Sequence, residues 1–172
     1  MPSSTRPDII LGLMAAGLSE RFENGNKLLQ ILNGQAIVNH CVESLQKLQA
    51  PLFVVIGHEK ESIKKRTTGL DLSFLENPNF KKGLGSSLQV MIEHMLQAFP
   101  NTPLLVHLGD LPKVKGGDLE NLWMQFSKNP QRIHMSQFGQ KNVGPPFILP
   151  SHFFGEFLQN LSPRGAKSWM LK

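Results

Sequence analysis

The sequence predicts a three-layer α/β/α sandwich on a mostly parallel sheet, and three observations lead to this fold class. Short β-rich runs alternate with segments of helical period along the chain. Two of the runs, residues 51–57 and 103–109, are almost wholly apolar, as is typical of strands that a sheet buries on both faces. No repeat or linker divides the sequence, so we expect a single domain over residues 1–172. These features are typical of a Rossmann-like fold with right-handed crossovers.

The first three elements are a strand, a helix and a second strand. The run DIILGLM, residues 8–14, predicts the first strand, and PLFVVIG, residues 51–57, predicts the second. Between them, residues 36–48 carry apolar side chains three and four positions apart, which indicates one buried helix face. That face comprises Val38, Cys41, Val42, Leu45 and Leu48.

The later elements continue the alternation. Residues 86–99 predict a helix for which Ser86 is suited as N-cap, and residues 103–109 predict another buried strand. Residues 118–126 predict a further helix, and residues 164–172 a short final one. The apolar stripes of the two longer helices comprise Leu88, Met91, Ile92, Met95 and Phe99, then Leu119, Leu122, Trp123 and Phe126.

Composition excludes several classes of protein. The chain has 40% hydrophobic and 18% charged residues and no apolar run near the ~20 residues that cross a bilayer. Its start lacks the apolar core of a secretory signal, and a single cysteine, Cys41, excludes an internal disulfide framework. We therefore expect a cytoplasmic protein with no membrane partner. Its net charge of +5 is scattered, and we interpret the one basic triplet, residues 64–66, as a solvated helix face rather than a nucleic-acid site.

The loop after the first strand predicts an anion site. Gly12 and Gly17 nearly match the spacing of a P-loop, but Leu18 stands where that loop has its lysine. The small residues 15–17 allow backbone N–H groups to point at an anion, as in a nest. Ser19, Arg21 and Lys27 follow with a hydroxyl and two cations, which suit a triphosphate. An ordinary glycine turn with exposed basic residues is the alternative.

Two further loops follow predicted strands, and ligands bind at such edges of open α/β sheets. In NPNFKKGLGSSL, residues 77–88, Gly83 and Gly85 allow a flat base to approach, and Ser86 lies at a helix start. The same residues also suit a plain turn and cap. In VHLGDLPKV, residues 106–114, Asp110 is either a turn former or the hard oxygen ligand that a phosphate-bridging Mg²⁺ needs.

Together these stretches resemble the MobA-like nucleotidyltransferase family. LMAAGLSERFENGNKLL, residues 13–29, is similar to the family signature of small residues, Gly-x-Ser-x-Arg and a lysine. Residues 77–88 are similar to the Asn-Pro…Gly-x-x-Ser-Leu segment of the molybdenum cofactor cytidylyltransferase (MocA-like) branch. LGDLP, residues 108–112, resembles its metal-binding Gly-Asp-x-Pro, and residues 144–167 resemble its late Gly-x-Pro and Leu-x-Gly-Asp-x-Gly-Ala-Arg stretch.

The resemblance implies a reaction and a role for each matching residue. An acceptor phosphate attacks the α-phosphate of a nucleoside triphosphate and releases pyrophosphate; in the MocA-like branch the donor is CTP and the acceptor molybdopterin, and a molybdoenzyme is an implied partner. Arg21, Lys27 and Asp110 would act in catalysis, with Asp110 holding Mg²⁺. The implied nucleotide-binding residues are Ala15, Ala16, Gly17, Ser19, Gly83, Gly85, Ser86 and Ser87.

The sequence departs from the family pattern in its late motif. Ser162 and Pro163 stand where the family has Gly-Asp, and Lys167 where it has arginine. If the missing aspartate helps to hold the ion or the acceptor, the protein is a slow enzyme or only a binder. The alternative is that Pro163 merely starts the final helix.

Three other functions stay open at this stage. A non-catalytic nucleotide or cofactor binder could use the same scaffold, as could a transferase that acts on a sugar or polyol phosphate. Fold analogy alone does not choose among acceptors. A nucleic-acid binder is the remote third alternative.

Overall fold

A six-stranded sheet lies at the centre of the computed structural model, which describes residues 8–18, 25–139 and 142–172. Its mostly parallel order, β5-β4-β1-β6-β8-β7, confirms the predicted fold class, and only β8 runs against its neighbours β6 and β7. β2 and β3 form a separate hairpin. The strands are β1 (Ile10–Ala15), β2 (Ile31–Leu32), β3 (Gln35–Ala36), β4 (Leu52–Ile56), β5 (Ser73–Glu76), β6 (Leu104–Leu108), β7 (His134–Phe138) and β8 (Asn142–Leu149).

Helices cover both faces of the sheet. They are α1 (Ile37–Gln46), α2 (Lys60–Arg66), α3 (Leu84–Ala98), α4 (Gly116–Lys128), α5 (Phe154–Gln159) and α6 (Lys167–Met170). Alternate side chains of β1 point to opposite faces, so Leu11 and Leu13 pack with α1 and α4, whereas Ile10 and Met14 pack with α3 and α5. The protein therefore has two apolar cores and three layers.

The predicted helix faces are the buried ones. All five apolar residues predicted for α1 are buried, as are Leu88, Met91, Ile92 and Met95 of α3. Phe99 and Trp123 are partly buried against the cores. Gly12, which suggested a phosphate loop, lies inside β1, where a Cβ would approach the Met91 Cε atom to 2.9 Å. Its small size serves the packing of α3.

Two predicted helix starts are wrong. α3 begins at Leu84 with Gly83 as N-cap, so Ser86 lies in the first turn rather than at the cap. The last helix is confined to Lys167–Met170 with Ala166 as N-cap, so Pro163 belongs to the preceding turn and does not start the helix. That turn is closed by Ser162 and Gly165, whose backbone N–H groups donate to each other's carbonyl oxygens at 3.1 and 2.9 Å.

The order of the strands brings the carboxyl ends of β1, β4 and β6 to one edge of the sheet. The loops that follow these ends therefore meet in space. Among the described residues, no helix is long and apolar enough to cross a bilayer.

Candidate functional site

A cleft of about 630 Å³ opens at this edge of the sheet. The loops after β1 and β6 form one side, and the turn before α3 together with the first turn of α3 forms the other. Of the residues singled out in the sequence, the cleft is lined by Ala16, Gly17, Lys27, Gly83, Ser87 and Asp110. Three separate stretches of sequence therefore meet around one cavity.

The loop after β1 exposes backbone to the cleft. Gly17 is exposed, and a Cβ built on it would meet no atom within 4 Å, so its peptide groups are accessible from the cavity. Ala16 also lines the cleft, whereas Ala15 ends β1 and packs into the core with 1% exposure. Ser19 and Arg21 lie outside the described residues. This loop is suited to accept an anion close to its backbone.

Lys27 is held at the rim by its neighbours in sequence. It begins a 3₁₀ turn over Lys27–Leu29, and the side chain of the N-cap residue Asn26 accepts a hydrogen bond from the Leu28 N–H at 3.0 Å. Leu28 is 6% exposed and belongs to the core. Because the cap and this apolar anchor fix the turn, the flexible lysine side chain starts from a defined position.

The segment that carries Asp110 is fixed at the preceding residue. The Gly109 N–H donates to the Met14 carbonyl at 2.9 Å, and the Cys41 thiol donates to the Gly109 carbonyl at 3.3 Å. Burial raises the pKa of the Cys41 thiol to about 12, so the thiol stays protonated and can serve as this donor. Asp110 is thereby held beside the end of β1.

Lys27 and Asp110 form an ion pair across the cleft. Their Nζ and Oδ2 atoms are 3.1 Å apart, and the two side chains are 41% and 43% exposed. Both residues also line a second cavity of about 960 Å³, which extends along α4 and β7. The ion pair therefore lies where the two cavities meet.

The second cavity has a mixed polar and apolar wall. Leu111, Val114 and Leu122 contribute apolar surface, and Pro146 lies at its β8 side. Its polar lining includes Asn121 and Gln125 of α4, Ser136 and Gln137 of β7, and Lys113 of the preceding loop. Such a surface fits a ligand with both polar and apolar parts.

The two glycines at the start of α3, Gly83 at the N-cap and Gly85 in the first turn, allow a close approach of backbone. A Cβ on Gly85 would lie 1.9 Å from the Ser162 carbonyl oxygen, and one on Gly83 would lie 2.5 Å from the Pro163 carbonyl oxygen. The Gly85 N–H donates to that Pro163 oxygen at 3.1 Å. Gly85 therefore supports the wall from behind and does not itself line the cleft.

The two serines at this wall differ in position. Ser87 is 4% exposed and lines the cleft. Ser86 does not line it, because its hydroxyl faces the Gly83 and Asn79 carbonyl oxygens at 2.8 and 3.0 Å. Ser162 and Pro163 are exposed and line neither cavity.

Sequence reasoning did not single out Phe80 and Lys81 as residues of the cleft wall. Phe80 and Lys81 lie on a 3₁₀ turn over Phe80–Lys82 and line the cavity. Gly57 makes room for Phe80, since a Cβ at Gly57 would meet the Phe80 Cβ at 2.6 Å. An aromatic residue beside two lysines in NFKKG was the available signal. Lys81 adds a second cation to the cleft.

The side chains that line the first cavity can hold a divalent cation only if oxygen atoms of a bound ligand and water complete its shell. No group of three Asp, Glu, His or Cys side chains suited to a metal occurs within residues 8–18, 25–139 and 142–172. Asp110 is the one carboxylate among the residues that line the first cavity. Mg²⁺ commonly takes one or two carboxylates and completes its shell with phosphate oxygens and water, so a single aspartate beside a phosphate site fits it.

The chain is similar in sequence to known proteins. The MobA-like NTP transferase domain matches residues 12–172. The chain is 33% identical over 115 residues to the bifunctional protein GlmU of Bordetella parapertussis, an alignment that covers 64% of the chain and 25% of that protein. It is 31% identical over 146 residues to GlmU of Francisella tularensis subsp. novicida, covering 74% of the chain and 30% of that protein. The chain thus spans less than a third of the length of these relatives.

Solved structures show the same fold at lower identity. A nucleotidyl transferase from Methanothermobacter superposes with a TM-score of 0.78 at 18% identity, covering 95% of this chain and 81% of that one. Rv0371c of Mycobacterium tuberculosis in complex with manganese superposes with a TM-score of 0.69 at 19% identity, covering 95% and 80%.

Proposed function

The chain belongs to the MobA-like NTP transferase family, and from this premise we propose that it transfers a nucleoside monophosphate from a nucleoside triphosphate to a phosphorylated acceptor. The observation that carries the proposal is the meeting of two cavities at the Lys27–Asp110 pair. A group-transfer enzyme needs a donor site and an acceptor site that share one reaction centre.

The first cavity is the proposed donor site. The accessible backbone at Gly17, with Lys27 and Lys81, suits the triphosphate, and the wall from Phe80 to Ser87 suits the base. Ser19 and Arg21 are proposed to complete the triphosphate site on the ground of the signature that they belong to. The similarity of residues 77–88 to the MocA-like segment favours CTP as the donor.

The second cavity is the proposed acceptor site. Its mixed polar and apolar lining suits an organic phosphate with a sizeable polar body, and molybdopterin is the acceptor that the MocA-like resemblance favours. Lys27 borders this cavity as well, so an acceptor phosphate can lie beside the same cation as the donor's phosphates.

The proposed step is an in-line displacement. An acceptor phosphate oxygen attacks the α-phosphorus, a new P–O bond forms, and the bond to the α–β bridging oxygen breaks to release pyrophosphate. Lys27 stabilises the negative charge that builds on the phosphate oxygens, and Asp110 is the residue that would hold a divalent metal ion. A bound Mg²⁺ or Mn²⁺ would neutralise phosphate charge, and the manganese complex of Rv0371c supports divalent metal use.

Pyrophosphate release tests the proposal. The protein is incubated with each of CTP, GTP, UTP and ATP, with Mg²⁺, Mn²⁺ or EDTA, and with molybdopterin or a panel of sugar and polyol phosphates. We expect metal-dependent release that requires one acceptor and is greatest with CTP. If pyrophosphate is released only with a sugar phosphate, the acceptor is that sugar phosphate and not molybdopterin. Nucleotide binding without release from any pair would show a non-catalytic binder.

A further inference from the structure

The buried side chain of Asn77 links the end of β5 to the first turn of α3. It is 2% exposed, and its backbone N–H donates to the Ile56 carbonyl at 2.8 Å. Its Oδ1 atom accepts from the Asn79 N–H at 2.9 Å. Its Nδ2 atom donates to the hydroxyl oxygens of Ser86 at 2.9 Å and Ser87 at 3.0 Å. The amide thus uses both its donor and its acceptor capacity within the protein.

The orientation of this amide is dictated by its partners. A backbone N–H can only donate, so the atom that faces Asn79 must be the amide oxygen. The amide nitrogen must then face the serines, and it can only donate to them. Ser86 and Ser87 are therefore both acceptors toward Asn77.

The hydroxyl protons of Ser86 and Ser87 have different acceptors. The Ser86 proton is directed to the carbonyl oxygens of Gly83 and Asn79, which only accept. In the part of the chain that the structure describes, Ser87 makes no hydrogen bond as a donor. Because Ser87 lines the cleft, its proton is left for a ligand there.

We propose that Asn77 is a positioning residue that makes the Ser87 hydroxyl a hydrogen-bond donor to the nucleobase. The Ser87 proton would then be donated to a carbonyl oxygen or an unprotonated ring nitrogen of the base, which fixes the orientation of the base at this wall. The inference rests on the proposed function, since it requires that a nucleotide occupies the first cavity.

Replacing the amide with a carboxylate reverses the polarity of this network. In Asn77→Asp one carboxylate oxygen still accepts a hydrogen bond from the Asn79 N–H. The other oxygen can only accept, so the Ser87 hydroxyl donates its proton to it. The lone pairs of Ser87 then face an acceptor atom of the base, which is repulsive. Ser87→Ala removes the hydroxyl and leaves that surface neutral.

A double-mutant cycle, with CTP affinity measured by titration calorimetry in Mg²⁺, separates this role from a structural one. Ser87→Ala should weaken binding about 3- to 10-fold, the effect of one neutral hydrogen bond. Asn77→Asp should weaken it further, and adding Ser87→Ala to Asn77→Asp should restore affinity to the level of Ser87→Ala alone. A structural role predicts instead that the two losses add.

Further variants keep the test decisive. Asn101→Asp, an exposed amide in the loop before β6, controls for added charge and should bind like the parent. If Asn77→Asp does not fold, Asn77→Ala is used, and Ser87→Ala should then have little effect in its background because the released hydroxyl can turn to the Gly83 carbonyl. Additive losses in either cycle would overturn the inference alone. Failure of the unaltered protein to bind CTP, UTP, GTP or ATP would overturn the proposed function as well.

Discussion

The ion pair between Lys27 and Asp110 contributes little to folding, so removing either charge should change stability little. An ion pair whose members are 41% and 43% exposed contributes about 0–1 kcal/mol to folding. Each of the two side chains can therefore exchange this ion pair for a contact with a ligand at little cost in free energy. The pair is suited to rearrange when phosphates and a cation arrive.

Lys27→Ala is expected to lower turnover far more than it lowers stability. Loss of a preorganised charge at a transferring phosphate costs on the order of 10²–10³ in rate. Pyrophosphate release and the melting temperature measure the two effects separately. The control is Lys65→Ala, an exposed lysine of α2, which should leave the rate unchanged. Equal rates in the two variants would exclude Lys27 from the reaction.

Asp110→Asn keeps the shape of the side chain and removes its charge. We expect the variant to fold like the parent and to lose the enhancement of triphosphate binding by Mg²⁺, because no other carboxylate lines the first cavity among the described residues. Calorimetry with and without the metal measures this. Asp71→Asn, an exposed aspartate after α2, is the control. Full enhancement in Asp110→Asn would mean that the ion is held elsewhere.

Single residues of the site were predictable where strand order alone positions them. Asp110 closely follows β6, whose carboxyl end lies at this edge of the sheet, so pattern and topology suffice for it, whereas Lys27 also depends on the Asn26 cap and the Leu28 anchor of its turn. The places of Asn77 and Phe80 beside the cleft were not predictable, because they depend on contacts with Ser87 and Gly57 that folding creates.

Among the elements, the contact between the start of α3 and the turn at residues 162–165 can be tested at one glycine. Gly85→Ala forces a Cβ onto the Ser162 carbonyl oxygen and should separate the two segments. We expect a loss of about 1–3 kcal/mol in the free energy of unfolding and weaker nucleotide binding. Chemical denaturation and a CTP titration measure the two effects.

Gly117→Ala provides the matched control for this substitution. A Cβ at Gly117 in α4 meets nothing within 4 Å, and alanine favours helix, so stability should stay equal or rise slightly. If Gly85→Ala were as stable as Gly117→Ala and bound nucleotide normally, the contact with Ser162 would have no part in shaping the cleft.

Three strands that the sequence analysis did not predict, β5, β7 and β8, lack the usual signal of a buried strand. β5 has four residues and β7 is largely polar, so neither has the apolar run of a doubly buried strand. β8 contains Gly144, Pro145 and Pro146, residues that argue against a strand. α1, α3 and α4 were predictable because each buries one continuous stripe, with the period of a helix, against the sheet.

For the whole molecule, the α/β alternation predicted the layers and the edge of the sheet at which the first cavity opens, but not the shapes of the cavities. Their shape depends on how loops from distant parts of the chain pack, as where α4 faces β7. The late motif illustrates this, since Ser162 and Pro163 contribute backbone contacts to the α3 start while lining neither cavity.

Binding of a nucleotide across these loops should stabilise the entire fold. A ligand at a hundred times its dissociation constant adds about 2.7 kcal/mol if only the folded state binds it. For a domain of this size, 1 kcal/mol corresponds to roughly 2–4 °C, so CTP with Mg²⁺ should raise the melting temperature by roughly 5–10 °C. Thermal denaturation is followed with each of the four triphosphates, with and without the metal.

The pattern of melting-temperature shifts across the variants tells whether nucleotide binding in the first cavity causes them. Asp110→Asn should keep the shift produced by nucleotide alone and lose the part that Mg²⁺ adds, whereas Lys65→Ala should behave as the parent does. A nucleotide bound at some other surface would give the same shift in all three proteins, because neither substitution would touch its site. Equal shifts in Asp110→Asn and the parent, with metal present, would therefore contradict a metal–triphosphate complex in the cleft between the β1 and β6 loops.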